Sequence, residues 1–399
     1  MRVLAVTTWL PTPSHPSMGS FVVKDAHAIA SLGHEVLLAH LVPPHQGRVA
    51  GDAEVGDGLA RFDEIEGLPV VRIPMSTSRP DHIVRARRAL QGLVRQADLL
   101  HTMAFSSLLP FPSMLPLPGA RPDLPWVHTD HWSGLTTPES LPRAWQVALP
   151  ALLPLLQGPD VATAVVERLA RPIREVRGDR PTVVVPCVVP APPGGPQPRP
   201  ADDLNPNHNH TLNLVGVGGL VEGKDPLLAV DVVAELHARG TPATLRLVGD
   251  GPLRADIRRR ARERGVADDL TLVGTLDRTG VLAELARADL FLGPTRSDNF
   301  YVSAAEAIIS GRPVVAGANG GHAEYLDPRV SRLVPVQEAS AYADAVQDLV
   351  AATAHLSAND IAATLGHRFE PEQVAQGYQQ AYNQAAELRA QTTHRRRRG

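Results

Sequence analysis

Residues 290–316 read Leu-Phe-Leu-Gly-Pro-Thr-Arg-Ser-Asp298-Asn-Phe-Tyr-Val-Ser-Ala-Ala-Glu306-Ala-Ile-Ile-Ser-Gly311-Arg-Pro313-Val-Val-Ala, and this stretch decides the fold. A short apolar run, a polar loop, a segment of helical periodicity and a second apolar run spell strand, loop, helix, strand. The pattern continues on both sides. Strands are expected at 212–217, 244–249, 270–274, 290–293 and 313–316, with helices at 225–239, 253–264, 281–288 and 303–310. The first half repeats the theme, with strands at 3–7 and 35–41, strand ends near 98–101 and 126–129, and a helix at 21–32 ending at Gly33. Strands alternating with helices predict an α/β protein with a parallel, doubly wound sheet in each half.

The chain has 399 residues, which suits two domains of roughly 150–200 residues better than one. With 43% hydrophobic and 20% charged residues, general disorder is excluded. A formal net charge of -3 and 4% aromatic residues argue against a nucleic-acid partner, which needs a basic face and stacking platforms. Cys187 is the single cysteine, so no internal disulfide forms and a cytoplasmic protein is expected. The apolar start is too short for a leader, and no apolar stretch reaches the roughly 18 residues of a membrane span.

Segment 186–210 is rich in proline and glycine and ends Asn205-Pro-Asn-His-Asn-His210. It lacks core periodicity and reads as a linker, and its histidines lack the ordered spacing of a metal site. Residues 110–125 hold too many prolines for regular helix and read as an irregular insertion. Residues 371–390 place Val374, Tyr378, Ala381, Tyr382 and Ala385 on one helical face, which must pack on something. The basic end, Arg395, Arg396, Arg397 and Arg398, reads as a solvated tail, with weak contact to an anionic membrane surface as the alternative.

The chemistry concentrates between Ser297 and Glu324. Asp298 precedes a helix and Glu306 lies one turn inside it. The amides of Phe300, Tyr301 and Val302 fall near that helix's N-terminus, an environment suited to a phosphate or a sugar hydroxyl. Carboxylates suit vicinal hydroxyls because each accepts two hydrogen bonds. Taken singly, Asp298 reads more simply as a helix-dipole partner and Glu306 as an ordinary helical charge. The whole run, with Gly311-Arg-Pro-Val-Val and Gly320-Gly321 following, outweighs that reading.

This run resembles the donor-site motif of retaining glycosyltransferases of family 4, in which two acidic residues are separated by seven others. Here Asp298 replaces the family's usual glutamate, and Asn299-Phe300-Tyr301 replaces its Gly-Phe-Gly. The resemblance implies that Asp298 holds the donor sugar together with the following amides, and that Glu306 binds the ribose. Segment 11–36 resembles the family's first loop and helix, with Gly19 in the loop that faces the interdomain cleft. Val215-Gly-Val-Gly-Gly-Leu220 with Lys224 resembles the diphosphate clamp, although Gly219 stands where the family places an arginine. Gly274 and Thr275 resemble the segment whose backbone meets the nucleobase. His128 matches the strand-end histidine beside the reacting sugar, where an imidazole stabilises developing charge. His131 is its rival, Trp132 offers a stacking face, and His101 is a third candidate on the acceptor side.

The fold implied is GT-B, two facing Rossmann-like domains with a C-terminal helix crossing back to the first. The expected boundaries are an acceptor-side domain at 1–190, a linker at 191–210, a nucleotide-sugar domain at 211–368, the crossover helix at 369–390 and the basic tail at 391–399. The activity implied is transfer of a sugar from a nucleotide-diphosphate sugar, with retention, to a small-molecule or lipid-linked acceptor. No cofactor and no obligatory metal are expected. Two alternatives stand beside it: a phosphorylase or epimerase using the same donor site, and a non-catalytic sugar-nucleotide-binding protein.

Overall fold

The computed structural model describes residues 1–12, 18–44, 61–113, 121–200 and 211–398. Residues 114–120 of the proline-rich insertion and 201–210 of the linker lie outside this set. So do the side chains of residues 393–398, and with them the surface contact expected of Arg395 to Arg398. The chain divides into two compact units, Met1–Val188 with Pro371–Gly399, and Val189–Glu370.

The N-terminal unit runs β1 (Arg2–Thr7), α1 (Ser20–Ser31), β2 (Glu35–Val42), β3 (Arg61–Ile65), β4 (Leu68–Pro74), α2 (Pro80–Val94) and β5 (Leu99–Met103). It continues with β6 (Trp126–Asp130), α3 (Arg143–Leu152), β7 (Val161–Ala164), α4 (Glu167–Arg177) and β8 (Thr182–Val184). The sheet order is β3-β4-β2-β1-β5-β6-β7-β8. Strands β1, β5, β6 and β7 are apolar or small nearly throughout and buried along their length, as central parallel strands covered on both faces must be. One feature departs from the expected all-parallel sheet. β3 pairs antiparallel with β4 through a two-residue turn at Glu66 and Gly67, both at positive φ, the backbone a tight hairpin requires.

The C-terminal unit runs β9 (Leu212–Val217), α5 (Pro226–Ala238), β10 (Ala243–Val248), α6 (Arg254–Glu263), β11 (Leu270–Gly274), α7 (Arg278–Ala286) and β12 (Leu290–Gly293). Then follow α8 (Val302–Ile309), β13 (Val314–Gly317), β14 (Ser331–Val334), α9 (Ala339–Thr353) and α10 (Ala358–Ala363). Its sheet, β11-β10-β9-β12-β13-β14, is parallel throughout. The order reverses between β9 and β12, and ligands of such sheets sit beyond the carboxyl ends of the strands at that switch.

Helix α11 (Pro371–Arg398) returns to the N-terminal unit and packs on α1, β6 and β7. Val374, Tyr378, Ala381, Tyr382 and Ala385 are buried there, the face that helical spacing selects. The helix runs through the basic end, so residues 391–398 are helical and not an extended tail. The described part of the linker is also not free. Arg312, wholly buried, donates to the carbonyls of Gln197 and Pro198 as well as to Leu285 and Ala286, tying 197–198 onto the C-terminal unit. Arg199 adds bonds to the carbonyls of Thr353 and Leu356. A buried guanidinium needs such a cage of acceptors, because its charge loses hydration on burial.

Candidate functional site

In the C-terminal unit the chain folds so that three loops meet at the carboxyl end of the sheet. β9 and β10 end at Val217 and Val248, and their loops cross closely. Gly218 N donates to Val248 O at 2.9 Å, and Gly249 N donates to Gly274 O at 2.8 Å. A side chain at Gly249 would strike the Gly218 carbonyl, so only glycine lets these backbones approach. Gly274 thus ends β11 with its carbonyl engaged, and Thr275 is exposed in the loop after it.

Lys224 lies before α5 and Asp298 lies before α8, and the structure pairs them. Lys224 Nζ donates to Asp298 Oδ2 and also stands 4.2 Å above the Tyr301 ring. Asp298 Oδ1 accepts the Tyr301 amide at 2.8 Å, and the Asp298 carbonyl accepts Gly321 N at 3.0 Å. Both charged side chains keep about a quarter of their surface exposed. Glu306 lies half-buried on α8, one turn beyond Val302 on the same face.

Two expectations for this loop need correction. Phe300 and Tyr301 are buried side chains, Phe300 packed against Tyr325 and Phe369, and Tyr301 edge-on to Phe291 and His322. The Tyr301 amide is taken by Asp298, so it is not open to a ligand in this conformation. Helix α8 therefore presents its N-terminal amides from Val302 onward, behind a Tyr301 at φ 56. The bulky pair fills the space beneath the loop, which explains why the motif tolerates Phe and Tyr here.

The sequence reading missed Arg296. Its exposed guanidinium pairs with Asp225 at 2.8 Å, so the loops carrying Lys224-Asp225 and Arg296-Asp298 are joined by two crossed ion pairs. The signal was present, an arginine two positions before the first acidic residue. Gly219, where an arginine was expected, is exposed and brings no charge.

In the N-terminal unit Gly19 caps α1 at φ 70, in contact with the Trp9 carbonyl, a position that admits no side chain. The three histidine side chains are all buried and differ in their partners. His128 is inside β6 and fully buried, its Nδ1 3.0 Å from Thr102 Oγ1 and its Nε2 3.2 Å from Asp130 Oδ2. So enclosed, its ring has no exposed surface in this conformation and links Thr102 to Asp130. His101 is likewise interior, bonded to Tyr382 Oη at 2.8 Å and Thr129 Oγ1 at 2.6 Å. It ties α11 to the sheet. His131 instead follows the last residue of β6, beyond the strand's carboxyl end. Its ring rests on Phe21 with centroids 4.4 Å apart, Nε2 lies 3.6 Å from Asp25 Oδ2 and Nδ1 lies 3.8 Å from Cys187 Sγ. Trp132, next along, lines an open groove.

Asp25 is the second residue the sequence reading missed. It sits on the buried face of α1 with Val22, Ala26 and Ile29, and a carboxyl on an apolar face was its signal. Burial pushes it up to about 8, although the Tyr378 hydroxyl donating to it at 3.0 Å pulls the other way. Burial holds His131 down to about 3, with His128 nearby acting in the same direction. Burial thus disfavours the charged form of both Asp25 and His131, whose Oδ2 and Nε2 stand 3.6 Å apart.

Residues 211–352 match the family model described as Glycosyl transferases group 1. The 2-deoxystreptamine glucosyltransferase of Streptomyces kanamyceticus is 36% identical over 105 residues, 26% of this chain and 27% of that protein. A GDP-mannose-dependent alpha-(1-6)-phosphatidylinositol monomannoside mannosyltransferase of Mycobacterium tuberculosis is 31% identical over 137 residues, 32% of this chain and 35% of that protein. The chain thus matches about a quarter to a third of the length of these curated relatives. Sucrose-phosphate synthase from Thermosynechococcus elongatus is 19% identical with a TM-score of 0.75, covering 96% of this chain and 99% of that one. Anabaena HepE, solved with UDP and glucose, is 14% identical with a TM-score of 0.69, covering 96% and 100%. Among the described residues no helix is long and apolar enough to cross a membrane, and no cluster of His, Cys, Asp and Glu is arranged to hold a metal ion. The chain therefore has the two-unit GT-B fold of these solved structures, and its residues 211–352 carry the pattern of the group 1 glycosyl transferases.

Proposed function

We propose that the chain transfers a sugar from a nucleotide-diphosphate sugar to an acceptor, with retention, holding the donor on its C-terminal unit. The observation that carries this reading is the meeting of Lys224 and Asp298 at the carboxyl end of the sheet, inside the stretch that matches the family model. The diphosphate displaces Asp298 as the partner of Lys224, and Arg296 supplies the second cation that Gly219 does not. Released from Lys224, Asp298 accepts from the donor sugar's hydroxyls, while Glu306 accepts from the ribose. Gly274 and Thr275 meet the nucleobase through the backbone. His131 supplies a neutral imidazole for the sugar, stabilising positive charge as it develops on the ring. No metal is assigned, since protein cations meet the leaving diphosphate.

The test is a thermal-shift panel with UDP-, GDP- and TDP-sugars on wild type and Glu306→Gln. One nucleotide class should stabilise the wild type by about 2.7 kcal/mol at 100 times its Kd. Loss of a charged hydrogen bond in Glu306→Gln should remove about 1.5–3 kcal/mol of nucleotide binding. No stabilisation by any sugar nucleotide would sink the reading.

A further inference from the structure

We propose that the groove on the N-terminal unit takes an uncharged acceptor carrying a ring, such as a neutral pyranoside or an aromatic aglycone. The inference rests on the transferase reading and names the acceptor class that the reading leaves open. The groove has a volume of about 370 Å³, enough for one substituted ring. Its aromatic walls are Trp9, Phe105, Trp132 and Trp145. Phe105 stacks on Trp132 with centroids 5.4 Å apart and planes 27° apart, and Trp145 meets Trp132 edge-on at 5.6 Å. These contacts set the aromatic wall before any ligand arrives.

The side-chain hydroxyls along it belong to Thr8, Ser76, Thr77 and Ser106, with Thr8 and Ser106 bonded to each other at 2.6 Å. Among the described residues that line the groove there is no Asp, Glu, Lys, Arg or His. A cationic amino sugar would therefore find no carboxylate, and a phosphorylated acceptor no cation. Either would surrender hydration without a partner charge. A neutral ring surrenders little, covers its apolar faces against the indoles and bonds its hydroxyls to Thr8, Ser76 and Ser106.

The readout is intrinsic. The chain has four tryptophans, three of which line the groove, while Trp126 is fully buried. Tryptophan fluorescence is titrated with phenyl β-D-glucopyranoside, glucosamine and glucose 6-phosphate, with no donor present. The neutral phenyl glucoside should quench saturably, at a concentration at least tenfold below either charged sugar. Trp145→Ala, on the outward helix α3, should raise its Kd about three- to tenfold, and Trp145→Phe should restore most of the affinity. Tighter binding of either charged sugar, or unchanged titrations in Trp145→Ala, overturns the proposal. Because no donor takes part, a groove that binds phenyl glucoside in a protein that ignores every sugar nucleotide overturns the transferase reading and leaves the groove's ligand class standing.

Discussion

The strand ends of the two units handle charge in opposite ways. In the C-terminal unit Lys224 pairs with Asp298 and Arg296 with Asp225, and every one of these side chains except Asp225 is in part open to water. In the N-terminal unit Asp25 and His131 lie within 3.6 Å of each other, yet burial raises one to about 8 and lowers the other to about 3. Exposed pairs exchange partners cheaply, because water compensates the charge released. Buried neutral pairs hold geometry and admit no ion. The contrast suits a phosphate-bearing ligand on one unit and an uncharged one on the other.

The sharpest way to break this comparison is to remove the histidines one at a time. His131→Ala should lose about 10²–10³ in kcat, the usual cost of one group that stabilises transition-state charge, and some stability as well, because its buried ring packs on Phe21 beside Asp25. His128→Ala should lose stability with little change in kcat, because Asp130 Oδ2 is left buried without its imidazole partner at about 1–3 kcal/mol, while Thr102 keeps Trp126 Nε1. Melting curves and kcat measured on both variants decide the matter, and a stable His128→Ala with the larger kcat loss would restore the role to His128.

Next in size is the cation pair. Lys224→Ala should weaken a nucleoside diphosphate by about ten- to a hundredfold and the bare nucleoside hardly at all, and Arg296→Ala should do the same to a smaller degree. Calorimetry showing equal losses for both ligands would remove the diphosphate from this corner.

The smallest effect is a pH dependence of the N-terminal unit. His40, His101 and His131 are held down to about 3 by burial, from 6.5. The unfolded chain gains their protons first, so stability falls as pH drops below 6.5. Asp25, raised to about 8, has the opposite sense: it keeps its proton when folded, and its contribution is lost as pH rises from about 4 to 8. Between about 4 and 6.5 the three histidine protons outweigh the one from Asp25, so stability falls as pH drops. Above 6.5 the Asp25 proton alone sets a shallower decline. Trp9, Trp126, Trp132 and Trp145 all belong to this unit, so denaturation followed by tryptophan fluorescence reads it alone. A maximum displaced to pH 8 or above would show that Asp25 ionises freely.

The fold was legible because buried parallel strands are continuous apolar runs and their helices have a visible period. β12, α8 and β13 fall within a residue of the positions read from residues 290–316. The β3–β4 hairpin was not, since Arg61–Ile65 alternates charge with apolar residues at an exposed edge and has no strong strand signal. In the site, Asp298 was singled out by its place before a helix and Lys224 by the resemblance of its segment to a diphosphate clamp, and the structure pairs the two. Local pattern could not tell His128 from His131, because both rings are enclosed and they differ only in distant partners, Thr102 for one and Phe21, Asp25 and Cys187 for the other. Asp25 and Arg296 acquire meaning only from partners 106 and 71 residues away, a relation no local pattern encodes.

Helix α11 sets a schedule for synthesis. Residues 189–370 are contiguous, so a growing chain can complete the C-terminal unit as soon as they emerge. The N-terminal unit, although made first, waits for Tyr378 to reach Asp25 and for Tyr382 to reach His101. At about 5–20 residues per second, the interval between residue 188 and residue 371 is roughly ten to forty seconds. Through that time the face of the first sheet that α11 will cover, with its polar cluster of Asp25 and His101, stands uncovered. The segment that closes the first unit is therefore translated only after the whole of the second.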